Sequence, residues 1–334
     1  MRPHRRHLSD LFWLLLILTP LPLLAAPQLV VTIAPLHSLV SAISGDRTEP
    51  YLLLRGGTSP HHYTLRPSDR RALAAADGVI WIGPQLEPFL QPIVTASPTT
   101  AVLTVTELPT ITLLPTRSAG IWFDADHADH ADHADHADHA DHADHADHAD
   151  HADHADHGPI DPHLWLDPAN AIVIADAVTA LLIALDPSAA DGYRQRRDAL
   201  QQRLRTQQQQ INAQLQPLRD QRYIVFHDAY QYFEHAFALQ PAGAVTVNPE
   251  QRPGARRLRA IRDHIRTSGV RAVFSEPQFP SRLATLLIED TGVRHATLDP
   301  LGAALTPGPD LYPQLLQQLA DALHHGLTPL NPTE

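Results

Sequence analysis

The chain has 334 residues, no cysteine, one methionine and a formal net charge of −12. Structural disulfides are excluded, and with no thiol or internal thioether a Cu(I) site or an iron–sulfur cluster has no ligands, so any metal must be held by imidazole and carboxylate. The acidity is local: eleven aspartates belong to one repeat, the balance without them is about −1, and no basic face marks a nucleic-acid partner.

Residues 1–26 read as a secretory signal peptide. Arg2, Arg5 and Arg6 make a positive start, Leu11 to Leu24 is a leucine-rich run too short to span a bilayer comfortably, and the small residues Ala25 and Ala26 follow. With no cysteine to carry a lipid, the expected destination is the periplasm, unanchored. No other stretch approaches transmembrane length by this reading. The remaining residues, about 300, suit two domains of ordinary size. They divide into an N-terminal lobe over 27–187, a linking helix over 188–217 and a C-terminal lobe over 218–334.

In the first lobe, Leu29–Ala34, Tyr51–Leu54 and Val79–Ile82 are apolar runs of strand length, and Ser68–Ala76 reads as a helix with Ser68 as N-cap. The polar, glutamine-rich stretch Ser188 to Gln216 keeps a thin apolar seam of Leu200, Leu204, Ile211 and Leu215, continued by Leu218. As one helix it would be about 43 Å long, a strut across both lobes rather than a core element. In the second lobe, Tyr223–Phe226, Ala244–Val247, Val270–Phe274 and His295–Leu298 read as strands, and Ala255–Thr267 and Arg282–Asp290 as helices. Strands separated by helices predict an α/β fold: two lobes, each with a mainly parallel sheet flanked by helices, joined by one long rigid helix.

Inside the first lobe, 124–158 is expected to be a disordered loop built on uninterrupted Asp-His-Ala triplets. Its imidazoles are His127, His130, His133, His136, His139, His142, His145, His148, His151, His154 and His157. A period of three matches no helical face, and alanine is too small to build a core. Each histidine has an aspartate beside it, so the loop should bind several divalent ions weakly and with little selectivity. As a flexible coil of about 35 residues it would span roughly 30–35 Å. A tolerated repeat expansion without function is the competing reading.

Three polar residues directly follow apolar runs: His61 after Tyr51–Leu54 and a glycine turn, His227 after Phe226, and Asp299 after Leu298. Strand ends are where ligand groups gather in open α/β sheets, so these positions can meet in one crevice. His163 lies in the proline-bracketed segment Asp161-Pro162-His163-Leu164-Trp165-Leu166-Asp167-Pro168. The segments Gly57-Thr58-Ser59-Pro60-His61-His62-Tyr63, Asp161-Pro162-His163-Leu164-Trp165-Leu166, Phe226-His227-Asp228-Ala229-Tyr230 and Thr297-Leu298-Asp299-Pro300-Leu301-Gly302 together resemble the cluster A-I solute-binding proteins of ABC importers, in particular their zinc receptors. The resemblance runs from about Leu29 to Leu327 and breaks at the repeat, where such receptors often carry a histidine-rich loop.

That resemblance implies a metal in the cleft between the lobes, with His61 and His163 from the first lobe and His227 and Asp299 from the second. It also implies Glu87 as an accessory acid near the cleft mouth. His62 and Glu276 read either as outer neighbours of the ligands or as ordinary surface or helix-capping residues. Manganese-importing relatives usually place a glutamate where this chain has His227, and three imidazoles with at most one carboxylate shift the preference toward Zn²⁺. The expected partners are a membrane permease and its cytoplasmic ATPase, with the receptor monomeric and no nucleic acid involved. Two other functions compete: a periplasmic zinc buffer or chaperone, and a zinc hydrolase. For the hydrolase the sequence offers neither a Gly-x-Ser-x-Gly elbow nor a His-Glu-x-x-His helix.

Overall fold

A computed structural model describes residues 26–97, 100–117, 159–246, 253–279, 282–289 and 291–329. The expected signal peptide, save Ala26, and the Asp-His-Ala repeat lie outside these residues.

The first sheet contains β1 (Leu29–Val31), β2 (Tyr51–Leu52), β3 (Gly78–Trp81) and β4 (Ala101–Thr104), in the order β2-β1-β3-β4 and wholly parallel. The second contains β5 (Tyr223–His227), β6 (Gly243–Thr246), β7 (Ala272–Ser275) and β8 (Arg294–Thr297). It repeats the scheme as β6-β5-β7-β8, again all parallel. In each sheet the first strand to form a crossover lies second in the row. The direction of winding therefore reverses between β1 and β3, and again between β5 and β7, which opens a crevice at the strands' carboxyl ends. β1, β3, β5, β6 and β7 are buried along their length, as strands covered on both faces must be.

Around the first sheet run α1 (Ala34–Ser44), α2 (Pro67–Ala75), α3 (Gln91–Thr95) and α4 (Pro168–Leu185); around the second, α6 (Gln231–Phe237), α7 (Ala255–Thr267), α8 (Arg282–Ile288) and α9 (Leu311–Leu327). Between them runs α5 (Ala190–Leu215), 26 residues long, whose apolar side buries Leu200, Leu204, Ile211 and Leu215. Its two halves are tied to different partners. Arg196 Nε donates to Ile43 O of α1 at 2.6 Å and Gln201 Nε2 to Ile172 O of α4 at 3.2 Å, whereas Gln207 Nε2 donates to Pro313 O of α9 at 2.6 Å. α9 also reaches the first lobe, where Tyr312 N donates to Ser38 Oγ at 2.9 Å. One apolar core follows from this traffic: it joins Val31, Leu36 and Ile174 of the first lobe to Leu204, Val225, Phe274 and Leu315. α5 is thus a strut embedded in a common core, not a free tether.

Two boundaries and one length reading shift for identifiable reasons. β1 stops at Val31 because Ile33 already occupies the N-cap of α1, with Pro35 in its first turn. Ser68 is not the cap of α2: the helix begins at Pro67, and the Asp69 carboxylate reaches back to accept from Arg66 N at 2.8 Å. Finally, α4 has the length and apolarity of a membrane span, 18 residues at mean hydropathy 1.9, contrary to the sequence reading. Its apolar residues Ile174, Val178 and Leu182 are fully buried in the core, so it is an interior helix.

Candidate metal centre

His61 is delivered by the loop between β2 and α2. Gly56 and Gly57 turn that loop in the left-handed region, at φ of 65° and 72°, where a side chain would be strained. Gly57 also lets the loop press against the other lobe, since a Cβ there would lie 2.7 Å from Ala303 Cβ. Thr58 Oγ1 pins the turn by donating to Arg55 O at 2.7 Å.

His163 opens the short 3₁₀ turn Leu164–Leu166 that leads into α4. Asp161, two residues earlier, accepts from His163 N at 3.0 Å and pairs with His163 Nδ1 at 2.7 Å. The Nδ1 side is therefore engaged, and Nε2 is the atom left to bind a cation. Trp165 holds the turn across the cleft by donating Nε1–H to Pro300 O at 2.8 Å, and Tyr312 OH donates to Trp165 O at 2.7 Å.

His227 is the last residue of β5. The β5–β7 register pairs Val225 with Phe274, which brings His227 abreast of Glu276 two residues further on. His227 Nδ1 lies 3.6 Å from Glu276 Oε2, longer than a hydrogen bond. His227 Nε2 is buried and without a hydrogen-bond partner.

The structure brings His61, His163 and His227 together. Their ring centroids are 5.4, 5.3 and 4.8 Å apart, and one nitrogen of each lies within 4.8 Å of the others. Donors on a tetrahedral zinc at 2.0–2.1 Å are separated by about 3.3–3.5 Å, so small ring rotations complete the set. The cavity the rings share with Glu276, Gln278 and Phe279 is about 20 Å³, room for one water-sized guest. Burial and the neighbouring rings push the His61 pKa down to about 2, which keeps this imidazole in the neutral form a metal needs.

Two sequence candidates stand apart from this cluster. Asp299 directs both oxygens into its own turn: Oδ1 accepts from Leu301 N, Gly302 N and Gln278 Nε2 at 3.0, 3.1 and 2.9 Å, and Oδ2 from Ala303 N at 2.6 Å. It stands at a strand end, but the tight turn after it claims the carboxylate. Glu87 is not at a cleft mouth; it is fully buried, with Oε2 accepting from Ile82 N and Gly83 N at 3.0 and 3.1 Å. Burial pushes its pKa up to about 7, against the opposing hydrogen bonds from Gly83 and Ile82. The histidines of the repeat lie outside the described residues.

Asp161 and Glu276 are the acids beside the rings. The spacing Asp161-Pro162-His163 was a readable signal for the first. Glu276, already named from the sequence with other roles open to it, meets His227 through strand pairing.

A family profile described as ZnuA, zinc-uptake complex component A periplasmic, matches residues 29–326. The high-affinity zinc uptake system protein ZnuA of Brucella abortus (strain 2308) is 44% identical over 299 residues, spanning 88% of this chain and 90% of that relative. Among solved structures, a zinc-bound ZnuA lacking its residues 138–173 shares the fold with a TM-score of 0.71 at 23% identity, over 92% of this chain and 100% of its own. The periplasmic zinc-binding protein TroA of Treponema pallidum does so at 0.71 and 21% identity, over 91% and 99%. With the profile spanning both sheets, the long helix and all three clustered histidines, the chain belongs to the ZnuA family of zinc-uptake complex components.

Proposed function

We propose that this chain captures Zn²⁺ in the periplasm through His61, His163 and His227 and hands it to the membrane permease of an ABC importer. The observation that carries the reading is the convergence of three imidazoles, two from one lobe and one from the other, on a single ion-sized cavity. Nitrogen donors suit Zn²⁺ better than Mn²⁺, which prefers oxygen. Zinc is cargo here, and nothing at the site is asked to do chemistry on a second molecule. Glu276 and Gln278 line the same pocket, so a water or the Glu276 carboxylate is the candidate for the fourth donor. Asp299 serves the site indirectly by fixing the turn that carries Pro300 and Leu301 against it.

Export by residues 1–26, the absence of a lipid anchor, action as a monomer and weak metal binding by His127 to His157 complete the reading. The test is calorimetry on zinc-stripped protein lacking the triplets, which should take up one tightly bound zinc per chain. Excess Mn²⁺ should fail to displace it. A Mn²⁺ titration that released the zinc at comparable concentration would sink the assignment of the cargo.

A further inference from the structure

The two ends of the repeat-bearing insertion meet in a short stem within the described residues. Pro115 and Ile160 form an antiparallel bridge, Thr116 N donates to Pro159 O at 2.8 Å and Asp161 N to Leu114 O at 2.9 Å. The outgoing arm of this stem continues through Asp161 directly into His163. The incoming arm ends in Arg117, whose guanidinium crosses to the other lobe. Its guanidinium grips Asp228 in two-pronged fashion, with Nε donating to Oδ2 at 3.1 Å and a terminal nitrogen to Oδ1. The same terminal nitrogen lies 2.8 Å from Glu234 Oε2. Asp228 is the residue after His227, and Glu234 lies on α6, where its other oxygen accepts from Tyr223 OH at 3.1 Å.

The rest of α6 grips the stem as well. Tyr232 OH accepts from Leu114 N at 2.8 Å and donates to Asp161 O at 2.9 Å. The Gln231 amide, in the orientation that satisfies both its groups, donates to Pro115 O at 3.2 Å and to Asp161 Oδ2 at 2.9 Å. The second lobe thus holds the segment that carries His163, while Arg117 of that segment holds the residue beside His227.

From this arrangement we infer that Arg117 is a positioning residue for zinc: it braces the His163 arm against the His227 strand and so sets how long the ion stays bound. The inference rests on reading the three histidines as the zinc site. A bidentate guanidinium–carboxylate pair fixes both distance and orientation, which a single ion pair does not. Asp228 and Glu234 are buried, at 7% and 3% exposure, so the pair is little weakened by solvent. Once the guanidinium is gone, two buried carboxylates are left without their shared cation, and parting the lobes to hydrate them becomes favourable. Separation of the lobes also separates His163 from His227, so the effect falls on the rate of zinc loss more than on capture.

The experiment compares full-length wild type, Arg117→Gln, Arg117→Lys, Arg117→Gln with Glu234→Gln, and His163→Ala. The readout is zinc release into excess chelator by stopped flow, beside the thermal midpoint of each zinc-free protein. The brace requires Arg117→Gln to release zinc about tenfold faster or more, with the association rate within about threefold of wild type. Arg117→Lys keeps the charge and loses the fork, so it falls between the two. Adding Glu234→Gln removes one stranded carboxylate and recovers part of the residence time. A purely structural arginine would instead lower the zinc-free midpoint and leave release within twofold of wild type, which overturns the inference. If Arg117→Gln fails to fold, Arg117→Lys decides by the same measure. Unchanged zinc retention in His163→Ala would sink the zinc site itself, whereas a normal His163→Ala defect with unaltered Arg117 variants sinks the brace alone.

Discussion

The His163 and His227 segments solve one problem in two ways. Each sets a buried carboxylate against the Nδ1 side of its imidazole. At His163 the acid is Asp161, two residues away in the same turn, at hydrogen-bond distance and also bonded to the His163 backbone. At His227 it is Glu276, from the next strand of the sheet, at 3.6 Å and with Oε1 buried without a partner. The first arrangement is set by the local chain and closes to hydrogen-bond distance. The second depends on sheet register and stops short of it. One lobe therefore fixes its imidazole by a local turn and the other by strand pairing.

The largest expected effect comes from removing the rings themselves. His163→Ala and His227→Ala should each weaken zinc binding by more than about 100-fold, beyond what loss of an outer neighbour causes. Calorimetry on the triplet-deleted protein reads this directly; retention of tight binding by either variant would break the ligand assignment. Next in size is Asp161→Ala, expected to cost about 10–100-fold in affinity, because the ring loses the partner that fixes its tautomer. Glu276→Gln should cost less, about tenfold, since its contact is longer and an amide still accepts from Nδ1–H. If the two were reversed in size, Glu276 would be bonded to the metal, and Co²⁺-substituted protein would show it as a changed visible spectrum. The smallest effect on affinity is predicted for Asp299→Ala, within about threefold. Its cost falls on stability instead, about 1–3 kcal/mol, because three backbone N–H groups lose their acceptor. Thermal unfolding of the zinc-free protein checks that, and a 100-fold loss of affinity there would return Asp299 to the ligand set.

Much of the fold was legible because most strands are short apolar runs closed by polar or turn residues. Seven of the eight strands fall on expected runs, β4 alone having drawn no reading. Ends were harder: Ile33 looks like strand by its side chain and is helix cap by its backbone. For the centre, His61, His163 and His227 stood out by their motifs, and the structure groups them. The two acidic candidates fared differently for one reason. A carboxylate near a strand end satisfies backbone N–H groups whenever a turn offers them, as Asp299 and Glu87 both do. Sequence shows the carboxylate but not the competing donors. Arg117 was invisible for a further reason: its partners Asp228 and Glu234 lie 111 and 117 residues away along the chain.

The stem between Pro115 and Ile160 has an evolutionary corollary. Because the inserted segment leaves and re-enters the fold at one bridged point, its length has no bearing on where Leu114 or Asp161 stands. Insertions are tolerated where the flanking backbone keeps its own hydrogen bonds, and here it does. Triplet copy number is therefore a character that lineages can raise or lower by slippage in steps of one histidine. Such steps change how many imidazoles the chain carries while the bridged stem and the clustered histidines keep their places.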